Sequence, residues 1–242
     1  MTRPVVAIDG PAGAGKTTAS RALARRLGFA HVDTGAMYRA VGILAEERGV
    51  ALDDDAALAQ LVAGLSFELA EGGERLLVRG AGPVSGTSGR DLSDAIRGPH
   101  AGELASRVST RPAVRERLVA LQRDLGAGGG IVMEGRDIGT VVFPNAELKI
   151  FLEAAPETRA ERRRKEHKQK GEHLTFEQVL DEVHERDKRD RERKVSPLIR
   201  AKDAVLVDNT AMHIEETARL IIMLARERES EITQAAGGKG NA

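Results

Sequence analysis

The 242 residues carry 37 basic and 37 acidic side chains, so the formal net charge is zero and nothing pulls the chain as a whole towards nucleic acid or an anionic membrane. The absence of cysteine excludes a disulfide frame, a thiolate zinc site and a cysteine nucleophile. Apolar residues make up 41% of the chain with no tryptophan and one tyrosine, so the core must be aliphatic; no run approaches the ~20 apolar residues of a membrane span and no apolar leader precedes the first strand, which leads us to expect a cytoplasmic protein.

Residues 5–9, VVAID, are a β-branched apolar run that predicts a buried strand. Residues 10–17 then read GPAGAGKT, the G-x-x-x-x-G-K-[ST] pattern of a phosphate-binding loop. Its glycines let the backbone curl until several N–H groups face one phosphate. Residues 17–27 predict a helix with Ala22, Leu23 and Leu27 on one face and Gly28 as its stop, and the positive end of that helix adds to the anion site. Lys16 is expected to reach the β- and γ-phosphates of a nucleotide, and the Thr17 hydroxyl to ligate Mg²⁺.

A strand over 29–33 runs directly into DTGAMYR and a helix over 36–48. Ligands of open α/β sheets sit beyond the carboxyl ends of strands, which places Thr34 and Arg39 near the phosphate loop. Arg39 can grip a second phosphate-bearing substrate bidentately, or be a surface arginine behind a helix cap. Another helix is expected over 56–63. Residues 66–78, SFELAEGGERLLV, are two alternating runs around a Glu-Gly-Gly-Glu turn, a hairpin signal, and the glycine-rich GAGPVSGTSGR follows. The stretch 65–97 therefore reads as a small β insertion. Helix returns over 102–125, interrupted near Pro112 and ended by glycines 128–130. Strands are expected at 131–133, 148–152 and 204–207, highly charged helices at 157–170 and 176–193, and a closing amphipathic helix at 214–228. From about residue 230 the chain is small and polar and is expected to be disordered. Alternating strands and helices imply a parallel sheet covered on both faces.

Two polar clusters add to the phosphate loop. MEGRD, at 133–137, closes a strand; Glu134 stands where many such proteins hold an acidic residue near Mg²⁺, with Arg136 and Asp137 aimed into the crevice. ERDKRDRERKVSP, at 185–197, sets Arg186, Arg189 and Arg193 on one helical face beside Asp190. Phosphoryl transfer needs charge stabilisation and water exclusion, and a mobile arginine-bearing helix supplies both. Arg159, Arg162 and Arg163 would form the other side of such a lid. The same alternation of signs also suits a solvated helix laced with ion pairs. No Asn-Lys-x-Asp guanine-reading motif is present. His100, His167, His173, His184 and His213 have no ligand spacing and read as ordinary surface or core residues, so no structural metal is expected.

In this order IDGPAGAGKTT, DTGAMYR, SRVSTRPAVRERL, EGRDIGTVVFP and ERDKRDRERKVSPL resemble the bacterial-type cytidylate kinases, over nearly the whole chain apart from the tail. The resemblance implies a P-loop three-layer α/β/α fold with a central parallel sheet, a small β-containing insert that binds the nucleoside monophosphate, and a helical lid. One kinase unit would span 1–229, with a core of 1–64, 98–155 and 195–229, the insert at 65–97 and the lid at 156–194, followed by a disordered tail over 230–242. It implies transfer of the γ-phosphoryl group of ATP to CMP or dCMP with Mg²⁺, by a monomer that needs neither nucleic acid nor membrane. Gly10, Pro11, Ala12, Gly13, Ala14, Gly15, Lys16, Thr17, Thr18 and Arg162 would then bind ATP. Thr34, Arg39, Ser106, Arg115, Arg136, Asp137, Asp190 and Arg193 would bind CMP, with Ser106, Arg115 and Asp137 reading the cytosine edge. Lys16, Arg136, Arg186 and Arg189 would carry catalysis, and Thr17 the metal. The glycine-rich stretch after residue 79 is longer than that family's insert, and Thr34 stands where a serine is common. A P-loop kinase for UMP or another monophosphate would share the loop and lid without needing Ser106, Arg115 and Asp137. An RNA-binding module built on the arginine helix is disfavoured by the balanced charge and scarce aromatics.

Overall fold

The computed structural model describes residues 3–73, 75–80, 89–98, 100–169 and 171–237. Strand β1 (Val5–Asp9) is the middle strand of a five-stranded parallel sheet, and it can be so because both its faces are apolar: Val6 and Ile8 face one layer and Ala7 the other, all buried. The glycine-rich loop leads into α1 (Lys16–Leu27), which ends on Gly28 in the left-handed conformation. After β2 (Ala30–Asp33) come α2 (Thr34–Glu47), capped by the Asp33 carboxylate on the Ala36 amide, and α3 (Asp55–Ala63), capped by Asp54. Strands β3 (Ser66–Ala70), β4 (Arg75–Arg79) and β5 (Arg90–Asp91) make a separate antiparallel sheet in that order. The glycine-rich residues 81–88, between β4 and β5, lie outside the described residues.

The expected single interrupted helix is two, α4 (Ala101–Val108) and α5 (Pro112–Gly126). Arg111, before the proline, is held extended, and Pro112 starts the second helix at its first turn, where no amide donor is needed. Strand β6 (Ile131–Gly135) is followed by one turn of π-helix at Ile138–Val142 and by β7 (Leu148–Glu153). The charged pair α6 (Pro156–Gln169) and α7 (Phe176–Glu192) pack together through Ala160, Val179 and Val183, and Thr175 opens α7 with a capping box to Gln178. Strand β8 (Val205–Asp208) and α8 (Ile214–Gly237) complete the chain. The helix runs past residue 230, where a disordered tail was expected: no glycine or proline interrupts 231–236 (EITQAA), and the first breaker is Gly237. Residues 238–242 lie outside the described set.

The large sheet has the order β2-β6-β1-β7-β8. Helices α1 and α8 cover one face through Leu23 and Ile221, and α5 and the π turn cover the other through Val119, Ile138 and Val142. A larger core joins α2, α3, α4 and α5 to the small sheet through Met37, Leu44, Leu58, Leu118, Phe67 and Val78. Register matters most for function. Asp33 pairs with Glu134, and Asp9 with Gly135 and Phe151, so three carboxylates and the phosphate loop emerge at the same carboxyl edge.

Candidate active site

The phosphate loop is built by conformations only glycine tolerates and by close backbone approach. Gly10 has φ of 152°, and a side chain there would stand 2.0 Å from the Leu152 carbonyl oxygen of the neighbouring strand. Gly15 has φ of 89°, and its missing Cβ makes room for Ile214. Asn209, fully buried at the end of β8, donates from Nδ2 to the Ala14 carbonyl at 2.8 Å and fixes the loop from below. Lys16 is buried, its Nζ donating to the Pro11 carbonyl at 2.8 Å. Burial, and then the Arg136 and Arg186 guanidiniums, push its ammonium down to about 7. Thr18 also lines the cleft beside Lys16 and Thr17.

Glu134 lies directly under the loop and is 3% exposed. Its Oε2 accepts from Thr17 Oγ1 at 3.1 Å; its Oε1 accepts from Ser20 Oγ at 3.1 Å and lies 3.0 Å from His31 Nε2. Thr34 Oγ1 donates to the Glu134 backbone carbonyl at 2.8 Å. On the neighbouring strand β1, Asp9 accepts from the Ile138 and Gly139 amides at 2.8 Å each and so holds the π turn, while burial pushes its carboxyl up to about 6. Such π turns recur at functional sites.

The far half of the cleft is made of side chains brought from distant elements. Arg115 of α5 donates to Asp137 in a fully buried pair, and Arg193 NH2 lies 3.8 Å from the other Asp137 oxygen. The Arg115 guanidinium also sits over the Tyr38 ring, 5.6 Å from its centre. Ser106 of α4 is buried here, and its Oγ has no hydrogen-bond partner among the described residues. Arg39 donates to Asp33 at 2.7 Å; burial alone would raise that carboxyl, but the guanidinium beside it holds it below the usual carboxylate range.

Helices α6 and α7 close the roof. Arg136 Nε donates to Asp190 at 2.8 Å, tying α7 to the end of β6, and the Asp190 carboxyl is held low by Arg136 and Arg186 against the opposing effect of burial. Arg186 lines the cleft, and burial followed by repulsion from Arg136 pushes it down to about 9. Arg189 is half-buried and is not among the cleft-lining residues. Arg162 donates to the Asn209 side chain and carbonyl at 3.2 and 3.0 Å, and Arg163 also borders the cleft. Arg159 is internal: it donates to the Ala154 and Ala12 carbonyls and makes a bidentate pair with Asp187, at 2.9 and 2.6 Å. Asp9, Ser20, His31, Tyr38 and Asn209 escaped the sequence reading. The signal that could have found His31 is a polar residue inside the apolar run of β2.

One cleft of about 580 Å³ runs from Gly13, Lys16 and Thr17 past Glu134 and Arg136 to Ser106, Arg115 and Asp137. The cytidylate kinase family model matches residues 6–227. The chain belongs to that family. A family member of Geobacter sp. (strain M21), named cytidylate kinase, is 47% identical over 224 residues, covering 93% of each chain. Another of that name, from Pelotomaculum thermopropionicum, is 47% identical over 222 residues, 90% of this chain and 94% of that one. The family match spans both halves of the cleft, from the phosphate loop to Arg193. No helix among the described residues is long and apolar enough to cross a membrane.

Proposed function

We propose that the chain transfers the γ-phosphoryl group of ATP to CMP or dCMP, giving ADP and CDP or dCDP. The observation that carries this reading is the continuity of the cleft: a phosphate loop at one end, a buried arginine–aspartate–serine set at the other, and arginines along the path between them. Cytosine presents an N4 amino donor beside the N3 and O2 acceptors. Asp137 has lone pairs left for N4 after its bond to Arg115, and the partnerless Ser106 hydroxyl can donate to the ring acceptors.

The acceptor phosphate is already ionised at neutral pH, so the chain need supply no general base. Its task is to align two anions and neutralise them. To the acceptor phosphate we assign Arg39, Arg136 and Arg193, which all line the cleft; Thr34 bonds the Glu134 carbonyl and Asp190 bonds Arg136, which supports their holding those residues in position. Lys16 and the loop amides take the donor phosphates, and Arg162 borders the ATP side. The geometry favours Arg186 over Arg189 beside the transferring group. Thr17 Oγ1 and Glu134 Oε2 are hard oxygens 3.1 Å apart, the kind of donor set that holds Mg²⁺ with one or two carboxylates and the substrate phosphates. Held there, Mg²⁺ would supply neutralisation of the charge that develops on the phosphate oxygens.

Steady-state ADP release with ATP and Mg²⁺, measured against CMP, dCMP, UMP, AMP and GMP, tests the assignment. CMP and dCMP should turn over well, UMP weakly and the purines negligibly. Preference for a different monophosphate would overturn the assignment of Ser106, Arg115 and Asp137 to cytosine.

A further inference from the structure

Glu134 has two oxygens in different company. Among the described residues Oε2 meets only Thr17 Oγ1, the hydroxyl at the mouth of the phosphate loop, whereas Oε1 is engaged by both Ser20 Oγ and His31 Nε2, which themselves lie 3.0 Å apart. A carboxylate cannot donate, so Nε2 must carry the hydrogen; bare, it would set lone pair against lone pair at 3.0 Å. His31 Nε2–H is thus the donor to Glu134, a hydrogen position assigned by this network. It reaches Glu134 across β2–β6, from the residue two before Asp33, while Ser20 reaches it from the first turns of α1.

We infer that His31, assisted by Ser20, is a positioning residue for the divalent cation of the nucleotide: it locks Oε1 of Glu134 so that Oε2 alone is offered beside Thr17. This rests on the Mg²⁺–nucleotide reading given above. A carboxylate held by one oxygen cannot rotate to chelate the ion with both, and it does not have to be ordered when the ion arrives. Positioning partners of this kind typically change metal affinity or activity by about 10- to 100-fold when removed. The role asks only that an N–H stand at the Nε2 position. Glutamine can place its amide nitrogen there, whereas asparagine, one carbon shorter, places its own near Nδ1.

The test compares His31→Leu, His31→Asn and His31→Gln with the wild-type chain by two readouts: the Mg²⁺ concentration giving half-maximal turnover, and the thermal shift produced by ADP with and without Mg²⁺. The Leu and Asn variants should need about 10-fold more Mg²⁺ or beyond and lose most of the Mg²⁺-dependent part of the ADP shift. Their shift with ADP alone and their KM for CMP should stay within about 2-fold of wild type, because those depend on the loop amides and the far pocket. The Gln variant should return to within about 3-fold. If His31→Leu does not fold, the Asn and Gln pair carries the comparison, being alike in polarity and different in reach. Wild-type Mg²⁺ dependence in the Asn and Leu variants overturns the inference, as does a parallel loss of the ADP shift, the Mg²⁺ increment and CMP affinity, or a Gln variant no better than Asn. Glu134→Gln separates the two layers: if it loses the Mg²⁺ increment while His31→Asn keeps it, only the role of His31 fails, and if it too keeps the increment, the metal reading itself fails.

Discussion

The two ends of the cleft are built by different physical means. At the phosphate loop the groups that matter are backbone amides, fixed by three positive-φ glycines within six residues and by the Asn209 tether. At the far end they are side chains, brought together from α2, α4, α5, the end of β6 and the segment after α7, and held by buried charge pairs. The first end is local in sequence and blind to chemistry beyond phosphate. The second is global and specific. Damage to one should therefore appear as lost turnover and damage to the other as lost stability or altered substrate choice.

The largest effect that would break this contrast lies in the far pocket. Arg115→Leu leaves Asp137 charged, buried and short of its main partner, and should cost about 3–5 kcal/mol of stability in a denaturant melt. The double replacement Arg115→Met with Asp137→Leu should recover most of that stability and none of the CMP affinity. Next, Lys16→Met should lower turnover by about 10²- to 10³-fold, the scale for removing one charge-stabilising donor. The same variant should melt no lower than wild type, since the native Lys16 ammonium is itself disfavoured by burial. Its sign is checkable by pH: between about 7 and 10.5 the unfolded chain holds a proton that the folded chain releases, so the Lys16 contribution to stability rises with pH across that window.

Asp9 gives a smaller effect of the opposite sign. Its carboxyl goes from 3.8 to about 6 on folding, so the folded chain binds the proton more tightly. Its contribution is most favourable below about pH 4 and is lost as pH rises to about 6, a change of about 3 kcal/mol that the wild-type chain should show relative to Asp9→Asn. Smallest of all, Ser106→Ala should raise KM for CMP by about 2- to 10-fold, the worth of one hydrogen bond, with the melt unchanged because the hydroxyl has no partner to lose. A lowered melt there would mean the far pocket is knit together more tightly than its bonds suggest.

What the sequence could disclose follows the same division. Local spacing revealed the phosphate loop, the hairpin, the order of strands and helices and the break at Pro112, because each depends on residues a few positions apart. It could not reveal contacts such as His31 with Glu134, 103 positions apart, or Asp9 with Gly139, 130 positions apart. The π turn escaped because IGTVV carries no signal separating it from a strand. Strand β6 extends two residues beyond the expected 131–133 because hydrogen bonds make the charged Glu134 fit for burial. The face read by threes and fours does not carry through at Arg193, which lies past the end of α7 with extended backbone; Arg186, Asp190 and Arg193 line the cleft and Arg189 does not.

Arg159 behaves as a mechanical joint. One guanidinium clamps a carbonyl of the phosphate loop, and its other edge clamps Asp187 on α7, while its Nε is pinned to the end of β7. A swing of α7 away from the sheet must break the two bonds at Asp187, release the Ala12 carbonyl from the guanidinium, or carry Ala12 with it. The roof and the phosphate loop therefore share one degree of freedom, and deuterium should enter the amides of 185–190 and of 12–16 at a common rate.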